Sequence, residues 1–237
     1  MKFILYACAI ILLYAGYYIV RIIYYSHYSP LPVIEQSETI LGNGSPKIYI
    51  AAGDSTAAGE GASSTEHTYT YKIAKYLSQK NSITYSNVAV RGAKTADVLH
   101  EQIPKIIAAK PDIITVSVGA NDLTHLLAAE TILEQYKKIA EELQSKTSAT
   151  IYMTNLPNFN GAKLLPFWYV AILEHRSRGI NEKLISLEND RVKIINIHDY
   201  GWGHFENISQ TYAADNFHPN DIGYQNWANA FLEKISE

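Results

Sequence analysis

Residues 47–56 of the chain read KIYIAAGDST. The apolar run stops abruptly at a glycine, a carboxylate and a hydroxyl, which are Gly53, Asp54 and Ser55. A short run of β-branched and apolar residues that ends at glycine predicts a buried strand. In open parallel sheets, ligands bind beyond the carboxyl ends of the strands. Ser55 therefore lies where we expect chemistry.

The pattern of a short apolar run followed by a longer amphipathic segment repeats four more times. Near-continuous apolar strands joined by helical crossovers predict a parallel sheet that is covered on both faces. We therefore expect an α/β fold, with a five-stranded parallel sheet in a three-layer α/β/α sandwich. The further runs are ITYSNVAV at 83–90, DIITVSV at 112–118, ATIYMTN at 149–155 and VKIINI at 192–197, and helices are expected near 69–79, 95–109, 129–146, 167–188 and 221–234.

Composition and charge exclude several classes of function. The 237 residues are 47% apolar and 18% charged, which is typical of a globular protein with one core. The net charge of -3 leaves no basic surface for nucleic acid. The single cysteine, Cys8, excludes an internal disulfide and a cysteine-based zinc site. Because the histidines show no metal-ligand spacing either, we expect no metal and no cofactor.

The chain begins with an apolar segment long enough to cross a bilayer. Residues 3–20 read FILYACAIILLYAGYYIV, which is eighteen residues without a charge. We favour an uncleaved membrane anchor over a cleaved signal peptide, because no small-x-small site follows Val20. Lys2 and the free amino group, opposed by Arg21, favour a cytoplasmic N-terminus and an extracytoplasmic domain. A cleaved segment would instead leave a secreted protein.

These features divide the chain into three parts. Residues 1–28 are predicted to form the anchor helix. Residues 29–46 are predicted to be a linker, because Pro30 and Pro32 break a helix and a run rich in turn formers follows them. Residues 47–237 hold all of the predicted strands and form one globular domain.

Compact polar residues follow two further predicted strands. The second strand ends at Gly92, where the missing side chain lets a backbone N–H approach a ligand. The third strand ends in GAND at 119–122, where the amide of Asn121 has two N–H donors. Each of these segments, like Gly-Asp-Ser, would by itself be a turn or a helix cap.

The segment DNFHP at 215–219 lies just before the last predicted helix. Asp215 and His218 are three residues apart, close enough for the carboxylate to bond one ring nitrogen while the other faces outward. In isolation such a pair is more often a capping or surface arrangement. Combined with a serine at a strand end, it supplies a general base.

Taken together, these segments resemble the SGNH hydrolases, also called GDSL-like lipases and esterases. The matching blocks are GDST at 53–56, Gly92, GAND at 119–122 and DNFHP at 215–219, in the usual order of that family. The resemblance covers residue 47 to the C-terminus and implies a flavodoxin-like arrangement of the sheet. One departure is Thr56, where the family name records leucine.

The resemblance implies a serine esterase with a catalytic triad. It implies that Ser55 is the nucleophile, that His218 is the general base and that Asp215 orients the imidazole. The oxyanion would be met by the backbone N–H groups of Ser55 and Gly92 and by the side-chain amide of Asn121.

The substrate is expected to be a small-molecule, lipid or glycan ester with an acyl or acetyl group. Two alternatives stay open, an acyltransferase of the same fold and a catalytically silent, membrane-tethered module that binds glycan or lipid. Asp54 and Asp122 are left without catalytic roles and are predicted to make turn and cap bonds. The apolar, aromatic stretch that contains LPNFNG at 156–161 and LLPFWYV at 164–170 fits either a buried helix start or a lid or acyl pocket.

Overall fold

The computed structural model describes residues 2–28, 31–203 and 208–237. Within this part of the chain the sheet has six strands, which are β1 Thr39–Leu41, β2 Ser45–Gly53, β3 Asn81–Asn87, β4 Ile113–Ser117, β5 Thr150–Thr154 and β6 Val192–Ile195. The helices are α1 Lys2–Tyr28, α2 Tyr69–Leu77, α3 Thr95–Asp97, α4 Ile103–Ala109, α5 Ala120–Thr124, α6 Ala129–Lys146, α7 Phe167–Leu184, α8 Ile197–Gly203 and α9 Asp221–Ser236.

The order of the strands across the sheet is β1-β3-β2-β4-β5-β6. Strands β2 to β6 are parallel, and β1 is antiparallel to β3. The parallel part is therefore the doubly wound, flavodoxin-like arrangement, in which the first parallel strand lies between the second and the third. The direction of winding changes between β2 and β4, and a crevice at their carboxyl ends is where such folds bind ligands.

The described sheet has one strand more than the five predicted from the sequence. The additional strand, β1, pairs antiparallel with β3 through Thr39 opposite Tyr85 and Leu41 opposite Ile83. It lies inside the segment predicted to be a linker, 29–46. Three residues are too few for an apolar alternation to be recognised, so only pairing with the edge of β3 defines this strand. Pro30, expected to end α1, is outside the described residues.

Two apolar layers cover the sheet, one on each face. Alternate residues of β2 point to opposite layers, as the period of two in a strand requires. Tyr49 and Ala51 pack with α2 and α9, whereas Ile50 and Ala52 pack with α4, α6 and α7. Fully burying a large apolar side chain contributes about 1.5–3 kcal/mol, so these two layers hold the strand ends in fixed positions.

The helix predicted at 95–109 is interrupted by a π-helical turn at Val98–Gln102. Pro104 follows in the first turn of α4, and its ring nitrogen has no hydrogen to donate to the preceding helical turn. Turns of this kind are often found at functional sites. Here the turn brings Gln102 beneath the end of β2, where its side chain is 1% exposed.

The N-terminal helix α1 contains a candidate membrane span. The span Phe3–Tyr25 contains 23 residues and has a mean hydropathy of 2.2, and it is not buried within the protein. A helix of this length and composition serves either as a membrane anchor or as a signal sequence.

Candidate active site

Ser55 lies in a tight turn that directly follows β2. The turn requires Gly53, whose φ is +137° and where an added Cβ would lie 1.8 Å from the carbonyl oxygen of Ser117. Because glycine alone has no Cβ, only glycine at position 53 lets strand β4 approach the turn this closely. The backbone N–H of Asp54 also donates to that same carbonyl at 2.9 Å, which joins the turn to β4.

Gln102 holds the turn from below. Its side-chain oxygen accepts from the backbone N–H of Gly53 at 2.8 Å, and its side-chain nitrogen donates to the carbonyl of Gly53 at 2.8 Å. Both bonds are buried, and a buried polar group without a partner costs about 1–3 kcal/mol. Gln102 is thus a positioning residue for the Ser55 turn. No pattern along the chain predicts this role, because the contact spans 49 residues.

Asp54 makes the turn bond that the sequence predicted. Its Oδ1 accepts from the backbone N–H of Thr56 at 2.9 Å, and the residue is 2% exposed. Burial raises the pKa of Asp54 to about 6, against the opposing effects of the Thr56 bond and of nearby His218.

Asp215 and His218 lie in the loop that precedes α9. The ends of the loop are joined by a bridge between Tyr212 and Pro219, and the backbone N–H of Ala213 donates to the carbonyl of His218 at 2.8 Å. Asp215 Oδ1 accepts from the backbone N–H of His218 at 3.0 Å. These local bonds fix the carboxylate and the imidazole relative to each other.

One chain of hydrogen bonds joins Asp215, His218 and Ser55. The Asp215 Oδ2 to His218 Nδ1 distance is 2.6 Å, and the His218 Nε2 to Ser55 Oγ distance is 2.9 Å. A carboxylate can only accept, so Nδ1 carries the hydrogen and Nε2 is left to accept from the Ser55 hydroxyl. The serine and the histidine are 163 residues apart in the sequence.

The carboxyl of Asp215 remains ionised in this arrangement. Burial would raise its pKa, but the hydrogen bond and charge of His218, together with the N–H groups of Phe217 and His218, outweigh burial and lower the pKa below its ordinary value. An ionised Asp215 stabilises a positive charge on the imidazole beside it.

Asn121 and Asp122 both bond to the loop that contains Gly92. Asn121 Nδ2 donates to the carbonyl of Ala93 at 3.0 Å. Asp122 is fully buried and accepts from the backbone N–H of Thr95 at 3.0 Å and from its hydroxyl at 2.7 Å, which is a cap bond of the predicted kind. Gly92 has a φ of +77°. These bonds therefore join the segments that follow β3 and β4, which contain the two predicted oxyanion donors, Gly92 and Asn121.

Glu60 is a charged neighbour of the imidazole that sequence reasoning missed. Its Oε2 lies 3.6 Å from His218 Nε2, and its other carboxylate oxygen pairs with Arg91. The backbone of Glu60 is fixed by its N–H, which donates to the carbonyl of Ser55 at 2.9 Å. In the sequence, Glu60 stands out only as the single charged residue in the run AAGEGASS of small residues. That pattern does not predict a contact with His218.

A cleft of about 100 Å³ opens beside these residues. Ser55, Asn121 and His218 are among its polar lining, and most of the remaining wall is apolar or aromatic. The apolar lining includes Phe159, Ile197, Tyr212, Phe217 and Trp227. Among the described residues, no group of three or more His, Cys, Asp or Glu side chains could hold a metal ion.

The two parts of the apolar, aromatic stretch at 156–170 have different environments. A helix does begin there, since α7 starts at Phe167. Its first two side chains are not buried, however, because Phe167 is 75% and Trp168 49% exposed. The first part of the stretch does line the cleft, through Pro157, Asn158 and Phe159, whereas these two rings do not.

Sequence comparison connects this geometry to known proteins. The model of the GDSL-like lipase/acylhydrolase family matches residues 51–225. The chain belongs to this family. Membership confirms the resemblance found in the sequence blocks and makes the chain a carboxylic ester hydrolase of the GDSL type. A comparison with curated proteins finds no match.

Solved structures of a lipase, a lipolytic G-D-S-L protein and an acetylxylan esterase share the fold at low sequence identity. A lipase from a goat rumen metagenome has a TM-score of 0.65 at 21% identity, over 79% of this chain and 96% of the other. A lipolytic G-D-S-L protein from Veillonella parvula has a TM-score of 0.63 at 14% identity, over 80% and 98%. An acetylxylan esterase from Geobacillus stearothermophilus has a TM-score of 0.60 at 16% identity, over 82% and 96%.

Proposed function

We propose that this GDSL-type hydrolase is a serine esterase with Ser55 as nucleophile, His218 as general base and Asp215 as the residue that orients the imidazole. The observation that carries the proposal is the unbroken chain of hydrogen bonds from Asp215 through His218 to Ser55, with distances of 2.6 Å and 2.9 Å. Serine hydrolases of unrelated folds use this order of groups.

In the first step, Ser55 Oγ attacks the ester carbonyl carbon while His218 Nε2 takes the hydroxyl proton. The new C–O bond moves the negative charge onto the carbonyl oxygen. That oxygen accepts from the backbone N–H groups of Ser55 and Gly92 and from the amide of Asn121. Because one Asn121 N–H already donates to Ala93, the second N–H is the one left for the oxyanion. Such donors contribute about 3 kcal/mol each to the transition state.

In the second step, the bond from the carbonyl carbon to the alcohol oxygen breaks. The imidazolium of His218 gives its proton to that oxygen, and the acyl group remains as an ester on Ser55. Water then attacks the acyl-enzyme, its proton passes to His218, and release of the acid restores Ser55. An alcohol in place of water would transfer the acyl group, so the free acid must be identified as the product.

The cleft favours an acyl group over a charged one, because its wall beyond the polar residues is largely apolar. The structural neighbours include a lipase and an acetylxylan esterase, so both long acyl and acetyl esters fall within the range of this fold. We propose a lipid or glycan ester as the substrate.

We also propose that α1 is an uncleaved anchor and that the hydrolase domain is extracytoplasmic. The proposal is supported by the length and hydropathy of Phe3–Tyr25 and by the charges at Lys2 and Arg21. Membrane fractionation of the expressed full chain, followed by N-terminal sequencing, tests it. A mature N-terminus after Val20 would contradict the anchor.

The first prediction tests the nucleophile. In the full chain in detergent, Ser55→Ala should lower turnover of p-nitrophenyl acetate by about 10⁴-fold or more, with an unchanged melting temperature, because the attacking oxygen is removed. A fluorophosphonate probe should label the wild type and not Ser55→Ala. Ser186→Ala, which alters an exposed serine in the short turn just after α7, is the matched control and should be labelled normally. Equal turnover by Ser55→Ala and the wild type would end the proposal.

A further inference from the structure

Four exposed apolar side chains cluster around the start of α7. Phe167 and Trp168 are 75% and 49% exposed, and Ile172, one helical turn further on, is 43% exposed. Leu126, in the turn between α5 and α6, is 49% exposed. We call these four side chains the apolar rim. A cluster of large apolar side chains in water marks a surface that contacts a partner or a membrane.

The rim lies beside the proposed active site. The backbone N–H of Leu164, three residues before α7, donates to the carbonyl of Asn216 at 3.3 Å. Phe159 stacks on Phe217 with ring centroids 5.9 Å apart. Asn216 and Phe217 directly precede His218 in the chain. The segment that leads into α7 is therefore fixed against the loop that carries the proposed general base.

Leu126 is held in the rim by contacts between the 124–127 turn and α7. The Tyr169 hydroxyl donates to the carbonyl of Thr124, and the Arg176 guanidinium donates to the carbonyl of Leu127. Leu126 has a φ of +56°, a conformation that costs a residue with a Cβ about 1–2 kcal/mol. The turn thus keeps a large apolar side chain exposed in an unfavourable backbone conformation.

The chain that leaves α1 is attached to the other side of the same site. Gln36 Nε2 donates to the carbonyl of Ala58 at 2.9 Å. Ile34 packs against the apolar layer of α2 and α9, and its Cγ1 is 3.5 Å from where a Cβ on Gly59 would lie. Ala58 is only three residues beyond Ser55. The exit from the apolar helix is therefore fixed at the Ser55 loop.

The length of chain between α1 and this attachment limits how far the site can lie from a bilayer. α1 ends at Tyr28, six residues before Ile34. Six residues extend at most about 22 Å. If α1 spans the membrane, the Ser55 loop is within that distance of the end of the helix.

We propose that the apolar rim docks on the bilayer that holds α1, and that the substrate is an ester dissolved in that bilayer. The attachment at Ile34 lies on the α2 and α9 side of the sheet, and the rim lies on the α6 and α7 side. Both are at the carboxyl edge, with the cleft between them. A membrane that contacts both the attachment and the rim would lie opposite the mouth of the cleft. The proposal rests on the esterase function and the anchor proposed above.

The composition of the rim fits a bilayer better than a second copy of the chain. An aromatic ring such as Trp168 is stabilised at the boundary between headgroups and acyl chains. The exposed part of the four side chains amounts to on the order of 400 Å², whereas a stable protein interface takes about 800 Å² from each partner. An acyl chain could pass from the bilayer into the cleft without crossing water, which makes long-chain lipid esters the favoured class.

The test uses the full chain in vesicles of phosphatidylcholine and phosphatidylglycerol. Turnover of p-nitrophenyl palmitate dissolved in the bilayer is divided by turnover of p-nitrophenyl acetate in the surrounding water. In the double variant Phe167→Ser, Trp168→Ser this ratio should fall by at least about tenfold, because the rim no longer holds the cleft against the bilayer.

Ile185→Ser is the matched control. Ile185 is 54% exposed and follows the C-terminal end of α7, at the opposite edge of the sheet from the rim. The ratio should stay unchanged in this variant. A ratio that is unchanged in the rim variant, or that falls equally in the control, overturns the proposal.

A second measurement needs no turnover and so separates docking from catalysis. Tryptophan emission is compared between the wild type and Trp168→Phe, in vesicles with and without brominated acyl chains. The difference emission belongs to Trp168 and should be quenched by bromine at least about twofold. Unquenched emission overturns docking, and emission that is instead shielded from acrylamide would indicate a protein surface as the occupant. If neither ester is turned over by the wild type, the proposed function fails while quenching still decides docking.

Discussion

The turn that carries Ser55 and the loop that carries His218 meet at one hydrogen bond, but different contacts hold them. The Ser55 turn is bonded to the sheet and to Gln102 through buried backbone groups. The loop at 211–220 is held mainly by bonds among its own residues and is only partly buried. Substitutions that disturb these backbone bonds of the turn should therefore affect folding, and substitutions in the loop should affect chemistry first.

The carboxyl groups of the two regions show the same difference. Asp54, in the turn, is buried and accepts from Thr56, and burial raises its pKa to about 6. Asp215, in the loop, is partly buried, but His218 and two backbone N–H groups outweigh burial and lower its pKa. Burial therefore disfavours the ionised form of Asp54 in the turn, whereas the surroundings of Asp215 in the loop favour its ionised form.

After Ser55→Ala, the largest effect is expected for Asp215→Asn. We expect kcat/KM for p-nitrophenyl acetate to fall by about 10⁴-fold, because the amide fixes the imidazole in the wrong tautomer and cannot support its positive charge. Stability at neutral pH should fall by only about 1 kcal/mol, since the loop keeps its backbone bonds. Kinetics and urea unfolding of the same preparation check both. A large loss of stability together with nearly wild-type activity would contradict the prediction, because it would make Asp215 a residue for folding and not for chemistry.

A matched pair at left-handed backbone positions compares the two regions directly. Gly53→Ala should destabilise the fold by about 4 kcal/mol, because its Cβ would meet the Ser117 carbonyl at 1.8 Å. Asn216→Ala, at a φ of +58° in the loop, should cost about 1 kcal/mol. Urea unfolding measures both. Equal losses would mean that the loop and the turn are equally rigid.

The pH dependence of stability should have opposite signs for the two carboxyl groups. The folded-state pKa of Asp54 is raised, so the folded form gains stability relative to Asp54→Asn as pH falls from above 6 to below 3.8, by up to about 3 kcal/mol. The folded-state pKa of Asp215 is lowered, so its contribution relative to Asp215→Asn is present above 3.8 and is lost as pH falls through the folded value. Unfolding curves of all three proteins between about pH 7 and pH 3 test the signs. Parallel curves for the two variants would contradict this.

The smallest effect is expected for Glu60→Gln. The Glu60 carboxylate lies 3.6 Å from His218 Nε2, where it stabilises the positive charge that the imidazole carries in the proposed transition state, so removing the carboxylate charge should lower kcat/KM for p-nitrophenyl acetate by about threefold. Stability should change little. Glu66→Gln, which alters an exposed carboxylate of the same loop bonded to Ser64, is the control and should leave kcat/KM unchanged. Equal kcat/KM values for the two variants would make Glu60 a structural residue only.

The sequence by itself predicted the five parallel strands, the helices between them and the residues that cluster at the carboxyl edge. These features are local, because an apolar run, its length and the glycine that ends it report the neighbours of a residue along the chain. Ser55, Gly92 and Asn121 stand out as polar or small residues directly after apolar strands, and Asp215 and His218 lie within one turn of each other.

Only the tertiary structure decided the contacts between distant segments. The edge strand β1 exists through its pairing with β3, Gln102 reaches Gly53 through a π-helical turn, and Glu60 approaches His218 because two loops are packed together. The exposure of Phe167 and Trp168 likewise depends on which surface of α7 the sheet covers. Periodicity along the chain carries no information on such contacts, because they depend on how the layers pack and not on the order of neighbouring residues.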